Sequence, residues 1–282
     1  MSAGFSAIVL AGKRDGRLDP LAANAGVSHK CLVPVAGKPM LLHVLEALDG
    51  SPGVARIVVS IDAPEILAPL VRHLGSGRII VERSAPNLVD SVIGAADAST
   101  PPFLVTTADN VNLTPASVAE ILAASQGADA AVAFARREHV IAAHPDGQRR
   151  FYRFRCGEYS NCNTYVIGSR EALKAAEVFR GGGQFAKFPM RIVKAFGLLN
   201  LIRFRYGLAT LSGAFRGFSR RFSFTIHPVL VTDGALAIDV DNERTLHIAE
   251  TILGERGSAL SEPPQEMRLD RTAHSLGDAL LA

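Results

Sequence analysis

Up to about residue 135, short β-branched or apolar runs alternate with segments of helical spacing, and that alternation leaves few folds open. The runs are Ser6–Leu10, Arg56–Ile61, Arg78–Val81, Phe103–Thr106 and Ala128–Ala135. Between the first two, Pro39–Leu48 sets Leu41, Leu42, Val44, Leu45 and Leu48 along one stripe, as a helix covering a sheet does. Ala63–Leu74 and Val89–Ala98 repeat the pattern. Strands separated by helices read as βαβ units, so an α/β fold with a mostly parallel central sheet and flanking helices is expected. A chain of 282 residues, 48% hydrophobic, can bury a sizeable core within one such domain.

Beyond residue 136 the pattern loosens. Charged and aromatic residues crowd Arg149–Arg155, Asn163–Ile167 predicts a strand, and Arg170–Val178 predicts a helix. From Val178 to Thr232 there is no Asp or Glu, yet the stretch carries Lys187, Arg191, Lys194, Arg203, Arg205 and Arg216 among others. Its cations are mixed with Phe185, Phe188, Phe196 and Leu199. Such a basic helical insertion, about 178–232, suits either an anionic membrane surface or packing on the domain or on a second subunit, as in a homodimer. Ala235–Val240 then predicts a buried strand and Glu243–Leu253 a closing helix. One domain over residues 1–254 follows, with a tail over 255–282 in which Ser261-Glu262-Pro263-Pro264 is linker-like.

Charge and cysteine content narrow the function classes. The net charge of +3 is small, while a pI near 8.9 leaves room for an anionic small molecule without requiring nucleic acid. The opening apolar run breaks at Gly12, well short of a signal peptide or membrane span, and three sparse cysteines fit a reducing compartment. The expectation is a cytoplasmic protein, with peripheral membrane contact through the basic stretch as an extension of it.

The first strand ends in Leu10-Ala11-Gly12, where backbone N–H groups can approach a polyanion with no side chain in the way. Lys13, Arg14 and Arg17 follow at once. Lys30 precedes a turn into Val35-Ala36-Gly37-Lys38-Pro39-Met40, so cations stand at both ends of the loop, as clamping a triphosphate requires. A bound nucleotide calls for Mg2+, which takes carboxylates together with phosphates and water. Asp109 in Thr107-Ala108-Asp109-Asn110 lies just past a strand's carboxyl end, where open α/β sheets bind ligands. Asp239-Val240-Asp241 supplies two more carboxylates, which on a strand would face one side together.

Leu10-Ala11-Gly12, an arginine shortly after, Lys30 and Gly37-Lys38-Pro39-Met40 resemble the signature of the molybdenum-cofactor and sugar-nucleotide nucleotidyltransferases. The resemblance covers roughly 5–135 and 235–254 and implies the Rossmann-like GT-A fold. It implies that Lys30 and a loop arginine, with Arg17 nearer the family pattern than Arg14, hold the phosphates and offset charge on the α-phosphate. It also implies Asp109 and Asp241 as metal ligands supported by Asp239, and Ser91 as a contact to the base. Two departures stand out: Lys13-Arg14 replaces a second glycine, and the span from Gly12 to Lys30 is longer than the family's.

Read through that resemblance, the chain transfers a nucleotidyl group from CTP or GTP, with Mg2+, to a small-molecule acceptor that is phosphorylated or a lipid precursor. Asn163 either hydrogen-bonds an acceptor hydroxyl or serves a turn. Two rivals remain at this level. Asp239-Val240-Asp241 also spells the DxD of a GT-A glycosyltransferase, and the altered glycine loop fits a non-catalytic nucleotide-binding module.

Overall fold

The computed structural model describes residues 4–13, 17–173 and 208–261. Its sheet is built from β1 (Phe5–Leu10), β4 (Val54–Ile61), β5 (Ile79–Arg83), β6 (Phe103–Thr107), β7 (Ala130–Arg136), β9 (Gly157–Ile167) and β10 (Ile226–Val231), in the order β10-β7-β9-β6-β1-β4-β5. The neighbours β1/β4, β1/β6, β4/β5 and β7/β10 are parallel, whereas β9 runs antiparallel between β6 and β7. A short β8 (Tyr152–Phe154) folds back on β9, and β2 (Pro34–Val35) pairs with β3 (Lys38–Pro39) in a separate hairpin. Ala36 and Gly37 turn that hairpin with φ of 48° and 80°, the left-handed conformations that two-residue hairpins need.

Along β1 the side chains alternate between two apolar cores. Ala7 and Val9 face α2 (Met40–Asp49), α3 (Ala68–Leu74) and α5 (Pro115–Ala124), whereas Ile8 faces α4 (Leu88–Asp97). Leu41, Val44, Leu45 and Leu48 of α2 are fully buried, each contributing about 1.5–3 kcal/mol of transfer free energy. A third cluster joins Leu21 and Ala22 of α1 (Pro20–Asn24) to Val33, Met40, Val111, Val240 and Ala249. It clips the chain around Lys30 to the last helix. The helix after β7 is α6 (Arg137–Ala143).

The chain crosses from β1 outward to β4 and β5, then returns to β6 on the other side of β1. That reversal opens a crevice at the carboxyl ends of β1 and β6, the place where open α/β sheets bind ligands.

Three expectations shift. Ala235–Val240 is not a strand: Gly234–Ala237 is a 3-10 turn capped by Asp233, whose Oδ1 accepts from Ala235 N at 3.0 Å. The run is apolar because it is buried on all sides, and burial without alternation does not distinguish strand from turn. The closing helix α8 continues from Glu243 to Ser261, well past Leu253. Arg256 within it bonds Asp233 at 2.6 Å and Asn112 O at 3.0 Å, so this part of the tail packs on the body. Of the acid-free stretch, residues 178–207 lie outside the described residues, as does most of the helix expected over Arg170–Val178. Its later part holds α7 (Leu211–Phe222), whose Leu211 and Phe215 pack on Phe134 and Tyr159, and the sheet strand β10. Among the described residues no helix is long and apolar enough to cross a membrane.

Candidate active site

The β1 loop leaves the sheet through two backbone bonds. Ala11 N donates to Ser60 O at 2.9 Å, and Ala108 N donates to Leu10 O at 3.0 Å, so the end of β1 is stitched to β4 and β6 alike. Gly12 is exposed, and a Cβ there would stand 3.2 Å from Ser84 Oγ and 3.6 Å from Asp62 Oδ1. Asp62 anchors the next residue by accepting from Lys13 N at 3.0 Å, while its other oxygen lies 3.1 Å from His29 Nε2. Burial works to raise the Asp62 pKa, but the Lys13 amide and His29 outweigh it and hold the carboxyl below its ordinary value. Arg17 lies exposed at the end of the loop, and Arg14 lies outside the described residues.

Lys30 opens a 3-10 turn directly after His29 and reaches across the crevice. Its Nζ is 2.6 Å from Asp109 Oδ2 and 2.9 Å from Asp241 Oδ1. Burial alone would lower the Lys30 pKa, yet the two carboxylates prevail and hold the ammonium above its ordinary value. The backbone braces the same arrangement: Val240 N donates to Asp109 O at 3.1 Å, and Thr245 Oγ1 accepts from Asp241 N at 2.8 Å.

Asp239 and Asp241 do not face one side, because the chain bends between them, with Asp241 N donating to Asp239 O at 3.1 Å. Asp241 turns outward to Lys30. Asp239 Oδ2 instead accepts from Asn163 Nδ2 at 2.6 Å. Burial, and after it the charges of Asp109 and Asp241, push the Asp239 carboxyl well above the usual range. Asn163 sits at φ 46°, a conformation that asparagine tolerates better than most residues, and its own N–H donates to Asn161 Oδ1 at 3.0 Å.

Lys30, Asp109 and Asp241 are thus brought together, with Asp239 and Asn163 behind them and Leu10, Ala11, Gly12 and Lys13 at the neighbouring strand end. Two expected contacts lie elsewhere. Lys38 Nζ is 2.8 Å from Glu46 on α2. Ser91 is buried, its hydroxyl donating to Asn87 O at 2.9 Å and accepting from Ala85 N at 3.0 Å, so it closes the 85–87 turn. Asp62, His29 and Ser84 also border the loop, and Asp62 carries a signal like that of Asp109, a carboxylate just after an apolar strand.

The donor set can be tested for a metal. Among the described residues, no group of three or more His, Cys, Asp or Glu side chains could hold an ion by itself. Asp109 Oδ1 and Asp239 Oδ1 are buried with no hydrogen-bond partner, and Asp109 and Asp241 already flank one cation, the Lys30 ammonium. One or two carboxylates completed by substrate phosphates and water is how Mg2+ is ordinarily bound, so the residues fit that ion. The cysteines take no part in this group: Cys31 and Cys162 are buried and free, and burial pushes the Cys31 thiol up to about 12.

A model of the family described as the MobA-like NTP transferase domain matches residues 7–235. Among solved structures, a hypothetical transferase from Thermus thermophilus superposes with a TM-score of 0.73 at 26% identity, covering 86% of this chain and 99% of that one. CMP:2-keto-3-deoxy-manno-octonic acid synthetase complexed with CTP gives 0.57 at 16% identity, covering 90% of this chain and 100% of that one. The 4-diphosphocytidyl-2C-methyl-D-erythritol synthase from Anaerococcus prevotii gives 0.55 at 10% identity, covering 89% and 96% respectively. No curated protein sequence matches the chain.

Proposed function

Since the chain belongs to the MobA-like NTP transferase family and is therefore a nucleotidyltransferase, we propose that it moves the nucleotidyl group of CTP or GTP to a phosphorylated small-molecule or lipid-precursor acceptor, releasing pyrophosphate. The observation that carries this reading is the Lys30 ammonium between Asp109 and Asp241, beside the glycine loop that ends β1. Lysine and carboxylates at that strand edge are the groups needed to hold a triphosphate with its metal.

In the proposed reaction an acceptor phosphate oxygen bonds to the α-phosphorus in line, and the bond from that phosphorus to the pyrophosphate oxygen breaks. The nucleophile is already anionic, so the chain need supply no general base. Catalysis then rests on positioning and charge stabilisation. The Gly12 N–H and the Lys13 side chain bind the phosphates, Lys30 and Arg17 offset their charge, and Asn163 holds Asp239 in place. Asp109 and Asp241 would hold Mg2+, which when bound neutralises charge on the phosphates.

CTP is the nucleotide to test first, because two proteins of the same fold carry cytidine groups in their names. The mixed basic and apolar stretch from Val178 to Thr232 is why lipid precursors belong among the acceptors. The test is a pyrophosphate-release screen of each NTP with Mg2+ against sugar phosphates, polyol phosphates, lipid-precursor phosphates and the molybdenum cofactor precursor. Pyrophosphate from one NTP and acceptor pair supports the reading. Release of a nucleoside diphosphate from a nucleotide sugar, with no pyrophosphate from any NTP, replaces it with glycosyl transfer.

A further inference from the structure

At the same carboxyl edge of the sheet, past β9, a cavity of about 550 Å³ is lined by Arg137, Gln148, Arg149, Arg150, Arg153 and Glu158 among others. Four arginines therefore line a space that has one carboxylate in its wall. Glu158 engages two of them, Arg137 at 3.3 Å and Arg153 at 2.7 Å, and the Arg137 guanidinium also lies 5.7 Å from the centre of the Phe151 ring. Those contacts fix the direction of both arginines. The exposed side chains of Arg149 and Arg150 have no ion-pair partner among the described residues. Guanidinium forks match phosphate oxygens two at a time, and a cavity with this excess of positive charge attracts such an anion.

The loop that bears these arginines is strapped to the segment that carries Asp239 and Asp241. Arg244 donates to Asp146 O, and a Cβ on Gly147 would collide with the Ile238 side chain. Gln148 Nε2 lies 3.4 Å from Ser160 Oγ and 3.5 Å from Ala237 O. On the strand side, Ser160 pairs with Ala135 in the β7/β9 ladder, three residues before Asn163. One loop of the cavity is thus braced against the segment that leads into Asp239 and Asp241.

We infer that this cavity binds the phosphate group of the acceptor, with Arg149 and Arg150 as direct contacts and Arg137 and Arg153 held in position by Glu158. The word acceptor rests on the nucleotidyl-transfer reading, whereas binding of a phosphate monoester stands without it. Calorimetric titration of the full chain with glycerol 3-phosphate and with inorganic phosphate, using glycerol as the neutral control, tests the site. Wild type should bind both anions and not glycerol. Arg149→Ala/Arg150→Ala should weaken both by at least about tenfold, with an unchanged thermal midpoint because both side chains are exposed. Arg170→Ala, which removes an exposed guanidinium at the opposite edge of the sheet, should bind them as wild type does. Undiminished binding by the double arginine variant, no binding by wild type, or an equal loss of binding in Arg170→Ala would each overturn the assignment. Once an acceptor is known, the arginine variant should raise the acceptor KM and leave the NTP KM unchanged. Phosphate binding without pyrophosphate release from any NTP would instead sink the nucleotidyl-transfer reading and leave the anion site standing.

Discussion

Lys30 shares one ammonium between carboxylates that are far apart in the chain, Asp109 at 2.6 Å and Asp241 at 2.9 Å. Removing the ammonium leaves the Asp109 and Asp241 carboxylates with no compensating charge between them. Lys30→Met should therefore lower kcat for pyrophosphate release by about 10²–10³-fold, the usual cost of losing one preorganised charge-stabilising donor. The circular dichroism spectrum should stay native. A variant with wild-type kcat would show that Lys30 only pairs the carboxylates.

Asp109→Asn keeps the size of the side chain and the backbone carbonyl that accepts from Val240 N, so the fold should persist. It removes one anionic oxygen donor from the crevice. Pyrophosphate release should vanish, and the Mg2+ concentration needed to stabilise the Mg-NTP complex in a thermal melt should rise. An active Asp109→Asn enzyme with an unchanged Mg2+ response would rule out the metal assignment.

Gly12→Ala tests the phosphate loop by shape alone. The new Cβ would meet Ser84 Oγ at 3.2 Å and would stand where a polyanion approaches the backbone. The NTP KM should rise by about tenfold, equivalent to about 1.4 kcal/mol, while kcat changes little. A kcat loss at unchanged KM would place Gly12 outside nucleotide binding.

How much of this could be read from sequence depends on whether a residue's role is local. Leu10–Gly12 and Asp109 follow apolar strands, and the carboxyl end of a strand is a place that spacing alone identifies. Asp62 follows β4 in the same way but has no accompanying motif, so its hold on Lys13 shows only when β4 lies beside β1. Ala235–Ile238 misleads because a uniformly buried run has no period, and the consequence is chemical. Once that segment is a turn, Asp239 goes to Asn163 while Asp241 goes to Lys30. The part Ser91 plays in closing the 85–87 turn is likewise invisible in sequence, because its partners Ala85 and Asn87 meet it only once the helix start is formed. The arginine cavity needs antiparallel β9 inserted next to β7, which no local pattern announces.

Asn163 carries two burdens, a backbone at φ 46° and a hydrogen bond to Asp239 Oδ2 at 2.6 Å. Asn163→Gly keeps the backbone conformation and removes the bond, whereas Asn163→Ala loses both. Leaving a buried polar group without its partner costs about 1–3 kcal/mol. Both variants should lower the urea midpoint, alanine more than glycine, and the gap between them measures the backbone strain. Equal midpoints for both variants and wild type would show that the bond to Asp239 contributes nothing to folding.

Asp62 gives the fold an acid-sensitive contact. Its folded pKa lies below the ordinary 3.8, because burial, which would raise it, is outweighed by the Lys13 amide and His29. A depressed carboxylate pKa stabilises the fold above the unfolded value, and that contribution disappears as pH falls through the folded pKa. The Asp62 side chain is 40% exposed, so solvent screens the interaction and the effect should be small. The difference in urea midpoint between wild type and Asp62→Asn should therefore be level above the ordinary carboxylate range and shrink as pH drops below 3.8. The amide oxygen of the substituted side chain can still accept from Lys13 N, so the comparison isolates the charge from the hydrogen bond. A difference that stays level through the acid range would mean that the loop is held by the hydrogen bond alone.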